Sequence, residues 1–311
     1  ASLTTATTAG GNNAFGWGAM LSTTTGYANV AMGVSSLGLQ TEGYSNTAIG
    51  NATLDALTTG NQNVAVGQAA GGAVTTGIEN TLIGSQAGDA LTDADFNVAV
   101  GRAALTADTL GSRSVAIGNG ALFSQNFTTA TNTFNVAVGY EAGLSVTTGT
   151  NNTLIGAGAA DALTTGDLNT VVGNQALTAE TAGHRSVAIG YNTLADQNFT
   201  TSTDTYNVAV GYNAGGATTT GSANTLIGGL AGDALTTGTG NTAVGMTAMG
   251  DGVLTGTDNT ALGMAAGASL TSGSNNTLLG HDAGLSGSPG GGIGSASHQI
   301  NLGDENITEC N

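Results

Sequence analysis

Apolar and polar positions follow one short phrase that returns along the whole chain: Asn, then Thr or Val, then two apolar residues, then Gly. Asn46-Thr-Ala-Ile-Gly50 and Asn80-Thr-Leu-Ile-Gly84 are clear copies. The closing glycines fall at Gly16, Gly33, Gly50, Gly67, Gly84, Gly101, Gly118, Gly139, Gly156, Gly173, Gly190, Gly211, Gly228, Gly245, Gly263 and Gly280, with a degraded copy at Gly303. The step is 17 residues or nearly so, apart from two steps of 21 ending at Gly139 and Gly211 and a last step of 23. A fixed period of this size marks coils that cannot bury their apolar residues alone and must stack on their neighbours.

Within a coil, the three residues before the glycine are short and mostly β-branched or apolar, which is strand composition over too few residues for a helical turn. Three residues after the glycine comes a small residue, usually Ala (Ala70, Ala87, Ala104, Ala121), and ten after it a second glycine, as in Leu57-Thr-Thr-Gly60 and Leu163-Thr-Thr-Gly166. Glycines at two fixed places predict two corners needing positive φ or close backbone approach, and two short strands per coil. The turn glycines singled out are Gly50, Gly67, Gly84, Gly101, Gly139, Gly156, Gly173, Gly211 and Gly228.

Strand alternation carries the pattern to assembly. Adjacent strand residues face opposite sides, yet both residues before the glycine are apolar in nearly every copy. A solenoid with one interior needs only one of these faces, so the second stripe is expected to be covered by another chain, in an oligomer with rotational symmetry. The repeated Asn is expected to stack as an amide ladder that satisfies turn backbone groups; an exposed sugar-binding row is the other reading.

A slower period overlies the first. From Gly67 to Gly139, and again to Gly211, three steps of 17 and one of 21 make blocks of 72 residues. Arg113-Ser-Val-Ala-Ile-Gly118 and Arg185-Ser-Val-Ala-Ile-Gly190 match, and each precedes a longer loop, Gln125-Asn-Phe-Thr128 and Gln197-Asn-Phe-Thr200. Each insertion is expected to leave the roll as an aromatic loop, making Asn126, Phe127, Asn198 and Phe199 the candidate contact residues; a plug sealing a seam between blocks is the plainer reading. Arg113 and Arg185 are expected to make a salt bridge or carbonyl contact at a subunit boundary.

The organisation expected is a lead-in over 1–11, a β-roll over 12–284, a Gly/Ser-rich linker over 285–297 and a C-terminal strand segment over 298–311. The class is all-β, a parallel solenoid of about 17 coils and about 80 Å long at about 4.8 Å per coil. With 53 Gly, 1 Pro and 4% aromatic residues, stability must come from backbone ladders and stacked apolar columns. The net charge of -17, from three Arg and no Lys, argues against a basic patch for nucleic acid or anionic membrane. No apolar run is long enough to span a membrane as a helix, and the single Cys310 excludes an internal disulfide.

The copies Asn46-Thr-Ala-Ile-Gly50 and Ser114-Val-Ala-Ile-Gly118 resemble the head repeat of trimeric autotransporter adhesins, a left-handed parallel β-roll of three chains around one axis. The 17-residue form with Leu-Thr-Thr-Gly turns resembles bacteriophage tail-fibre shafts. His298-Gln-Ile-Asn-Leu-Gly-Asp-Glu-Asn-Ile-Thr308 is similar to the segment preceding the self-cleaving intramolecular chaperone of tail fibres and tailspikes. The resemblance implies a homotrimer, a chaperone domain beyond Asn311, and a place in a virion tail or, alternatively, on a bacterial surface, with a host glycan or protein as receptor.

Signals for other chemistry are thin. His184, His281 and His298 have no second ligand at zinc spacing. Asp89, Asp93 and Asp95 share one coil without the period of calcium-binding rolls. No Ser/His/Asp set recurs with a nucleophile elbow, so neither catalysis nor a cofactor is expected. Asn51-Ala-Thr53, Asn126-Phe-Thr128, Asn198-Phe-Thr200 and Asn306-Ile-Thr308 match the glycosylation triplet in a chain rich in Asn and Thr. The leading function is a structural and adhesive fibre; a bacterial adhesin or filament, and an ice-binding or polysaccharide-degrading solenoid, follow it.

Overall fold

A computed structural model describes residues 10–287 and 291–303. Cys310 and the triplet at Asn306 lie outside the described residues, as do parts of the lead-in and of the C-terminal segment. The chain divides into two compact units, residues 1–152 and 153–311. Each is an all-β parallel solenoid, and no α-helix occurs among the described residues.

In the first unit, three-residue strands such as Thr47–Ile49, Val64–Val66, Thr81–Ile83 and Val98–Val100 pair in parallel, each with the next. Like position lies over like: Ala48 partners Ala65, and Ala65 partners Leu82. The register survives the longer step, since Val115–Ile117 pairs with Val136–Val138 residue for residue. The second unit repeats this from Thr153–Ile155 to Thr277–Leu279. Ile300–Leu302 then partners Thr277–Leu279, and Ile293 is buried with its N–H on the Gly284 carbonyl. The described residues of 285–297, expected as a linker, therefore build a last coil around an apolar side chain.

Each strand ends where its glycine takes a φ that side chains avoid. The nine glycines singled out have φ between 135° and 148°. At Gly84 a Cβ would sit 2.3 Å from the Gly101 carbonyl oxygen, so strain and collision both select glycine. The second corner uses close approach alone: a Cβ on Gly60 would lie 2.4 Å from the Gly77 oxygen, at ordinary φ.

One expectation needs correction. Among the described residues each coil has a single three-residue strand; a second, two-residue parallel pair forms beside the insertions, Gly111–Ser112 with Thr131–Asn132 and Gly183–His184 with Thr203–Asp204, and one isolated parallel bridge joins Leu235 to Leu254. Elsewhere left-handed residues interrupt the extended backbone, as at Ala52 (φ 51) and Leu54 (φ 49). Their N–H groups still reach neighbouring coils, Ala52 to the Val34 carbonyl at 2.9 Å and Leu54 to the Ala70 carbonyl at 3.1 Å, so the turns remain stacked without being strands.

From Val30–Met32 to Thr277–Leu279 the core is the middle residue of each three-residue strand, the small residue three after the glycine, and a column through Leu57, Val74 and Leu91. Volume is traded between columns. Leu82 lies where a Cβ on Gly71 would meet it at 2.7 Å and one on Gly88 at 2.8 Å, and Leu226 stands likewise against Gly215 and Gly232. Where the strand carries Ala instead, as at Ala99 and Ala116, Leu105 and Leu122 fill the space. Leu82→Ala should therefore cost about 3 kcal/mol, because two glycines have no side chain with which to fill the void. Urea denaturation checks this, and a loss below about 1 kcal/mol would mean that the coils collapse onto the gap.

Candidate functional site

The Asn column is an internal ladder. Asn46, Asn63 and Asn80 are fully buried. Asn63 donates its backbone N–H to Asn46 Oδ1 at 3.0 Å, and its Nδ2 to Asn46 Oδ1 at 3.1 Å and to the Gly77 carbonyl at 2.9 Å. The second unit repeats this at Asn224, Asn241 and Asn259. Each amide thus satisfies the turn of its neighbour and leaves nothing for a sugar. The first Thr of the Leu-Thr-Thr-Gly turn is likewise occupied, since Thr58 Oγ1 donates to the Thr75 carbonyl at 3.1 Å.

Ser114 and Ser186 interrupt the ladder, and buried polar networks repair it. In the first unit Gln125 Nε2 donates to Ser114 Oγ at 2.8 Å and to Asp108 Oδ2 at 2.5 Å, while Asn135 Nδ2 donates to Gln125 Oε1 at 2.9 Å. Asp108 Oδ1 also accepts the N–H groups of Gly111 and Phe127. In the second unit Glu180, Gln197, Ser186 and Asn207 take the corresponding places. Sequence reasoning missed these carboxylates. The available signal was an acid 17 residues before Gln125 and before Gln197, in a column that carries no other acid and in many coils is Leu or Val. Burial pushes the Asp108 carboxyl above its ordinary value, against the lowering effect of the Phe127, Gln125, Gly111 and Thr109 donors.

The insertions are tied down. Phe127 is buried and Phe199 half-buried, while Asn126 and Asn198 are exposed and accept from Thr109 Oγ1 and Thr181 Oγ1, both at 3.1 Å. This favours the plug over the projecting aromatic loop, because the Phe127 N–H and carbonyl are both bonded to the coil below. Arg113 and Arg185, expected at a subunit boundary, hold the insertion of their own chain. Arg113 Nε donates to Asn132 Oδ1 at 2.9 Å with its guanidinium over the Phe96 ring, and Arg185 pairs with Asp204 beside the Tyr206 ring.

Around Arg185 the fold gathers residues that lie far apart in sequence. Asp167, His184, Arg185, Ser202 and Asp204 line a cavity of about 250 Å³. His184 Nε2 is 2.8 Å from Ser202 Oγ, and its Nδ1 accepts the Asp167 backbone N–H at 2.9 Å. Serine, histidine and aspartate meet here, but in the wrong protonation. An Nδ1 that accepts a backbone N–H places the proton of the neutral ring on Nε2, which must then donate to Ser202. A serine nucleophile needs the reverse. In this arrangement the cluster anchors the insertion.

Asp89, Asp93 and Asp95 have separate partners: Asp89 accepts from Thr106 Oγ1, Asp93 from Thr76 Oγ1 and Asp95 from the Ile78 N–H. His281 lies beside Asp282 and His298 is exposed. Among the described residues no three His, Cys, Asp or Glu side chains gather as a metal site would require, and no helix is long and apolar enough to cross a membrane.

What remains unexplained inside one chain is the outward face of the strands. The last strand residue points away from the core in each coil. In the first unit this column includes Met32, Ile49, Val66, Ile83, Val100 and Ile117; in the second, Ile155, Val172, Ile189, Val210 and Ile227. Ile83, Ile155 and Ile227 are 38–39% exposed. Beside it runs a mixed Thr and Val column, as at Thr81, Val98 and Val115. Against known proteins, no family model and no curated protein matches this chain.

Proposed function

We propose that the chain is a structural and adhesive fibre that assembles as a homotrimer along its outward strand columns, in the manner of a phage tail fibre or tailspike shaft. The observation that carries this is the continuous apolar column of Ile, Val, Met and Leu on the outward face of each unit, half-buried at its Val positions and exposed at most of the others. No polar residue interrupts it from Met32 to Val138 in the first unit or from Ile155 to Leu279 in the second. A row of this kind is an aggregation hazard when open to water, and covering each Ile returns on the order of 1 kcal/mol. A parallel rotational arrangement lets identical columns meet. The charge of -17 disfavours side-by-side clumping of finished fibres. Resemblance of the repeat phrase to tail-fibre shafts and trimeric adhesin heads supports three chains, and a bacterial surface adhesin or filament is the alternative setting.

Sedimentation equilibrium at low micromolar concentration tests the assembly. A mass of three chains that persists on dilution is expected, and a stable folded monomer removes the role assigned to the column.

A further inference from the structure

The glycine-flanked trough beside Trp17 points to a second kind of surface in the first unit, and we infer that it binds a neutral pyranose sugar. This rests on the adhesive part of the function proposed above and not on its shaft part. The trough has a volume of about 390 Å³, at the lower end of the range of about 300–1,000 Å³ for small-ligand sites. Its wall is Trp17, the one tryptophan of the chain, 71% exposed, with Leu21 and Leu39 also exposed.

Its floor comes from the repeat. Five residues after successive strand glycines stand Leu21, Gly38, Asp55 and Gly72. Asp55 therefore rises from one coil between two coils of bare backbone, and a Cβ on Gly72 would lie 3.5 Å from Asp55 Oδ1. Ser35 adds a hydroxyl on the same side, next to Gly18.

These groups match one chemistry. The C–H face of a pyranose is apolar and broad enough to lie on an indole ring, while its hydroxyls are donors that a carboxylate accepts with charge assistance. Burial raises the Asp55 carboxyl above its ordinary value, against the lowering effect of backbone donors, so a sugar hydroxyl offers what lost water would have given. None of the three Arg lines the trough and the chain has no Lys, which disfavours sialic acids, uronic acids and phosphorylated sugars.

Because Trp17 is the sole tryptophan, its emission reports on this trough alone. The native assembly is titrated with galactose, glucose, mannose and N-acetylglucosamine and with their short oligosaccharides, sialic acid serving as the charged control. A saturable change in emission with at least one neutral sugar is expected. Asp55→Asn should weaken it by about tenfold or more, and Trp17→Ala should abolish binding by calorimetry, both variants keeping the parent's melting temperature. No saturable change with any neutral sugar overturns the proposal, as does equal binding by Asp55→Asn or a preference for sialic acid. A trimer that binds none of the sugars refutes the trough and leaves the shaft; a monomer that binds one refutes the shaft and leaves the trough.

Discussion

Gly156→Val is expected to destabilise the second unit by about 4 kcal/mol, from backbone strain and overpacking together. Gly156 has φ +135, and a Cβ there would lie 2.3 Å from the Gly173 carbonyl oxygen and 2.5 Å from its carbon. These are backbone atoms fixed by the strand ladder, so no side chain can swing aside. Relief would require the coils to part, which breaks the parallel pairing of Thr153–Ile155 with Thr170–Val172. Gly229→Val is the control in the same unit: nothing lies within 4 Å of its Cβ position and its φ is ordinary, so its effect should stay within about 0.5 kcal/mol. Equal melting temperatures for the two variants would show that the strand-ending corner is not special.

The difference between these two glycines marks how far the sequence reaches. Period, strand phrase and strand-ending corner are legible because one residue type recurs at one place for a local reason: Gly156 needs its φ, and Asn63 needs a neighbour's amide. The rest of the coil is not legible in this way. The left-handed turn positions are filled in many coils by residues such as Ala52, Leu54, Gln62 and Glu79, types that carry no turn signature, and in others by Gly71, Gly88, Asn151 or Asn192, so no single residue type marks the turn and a second strand is the natural expectation. Stacking overrides their preference, since each such N–H has a fixed acceptor in the adjoining coil. The insertions misled for a related reason. Phe127 looks like a binding residue in a chain with few aromatics, yet its backbone is bonded through Asp108, whose role shows only once the coils are stacked. His184 and Ser202 meet because the insertion folds back, which the repeat does not encode. The outward column was legible as a stripe; its exposure in a single chain is what the structure adds.

Asp108 carries the largest effect expected from a single polar residue. Asp108→Ala should cost about 3–5 kcal/mol, because it strands the N–H groups of Gly111 and Phe127 in the interior and leaves the Gln125 amide one acceptor short. Its titration supplies an independent check. The folded carboxyl lies above the ordinary 3.8 because desolvation outweighs its donors, so the folded state takes up a proton before the unfolded state does. Above the folded value the buried charge opposes folding. As pH falls from that value towards 3.8, protonation relieves the opposition and the contribution of Asp108 to stability rises. The other acids are common to the parent and Asp108→Asn, so the difference between their unfolding free energies isolates this residue. Urea denaturation of both at several values between pH 7 and pH 4 should show that difference moving in the parent's favour on acidification. Movement the other way would mean that the Gly111, Phe127 and Gln125 donors, and not burial, dominate the carboxylate, and that the network holds its charge as firmly as a salt bridge would.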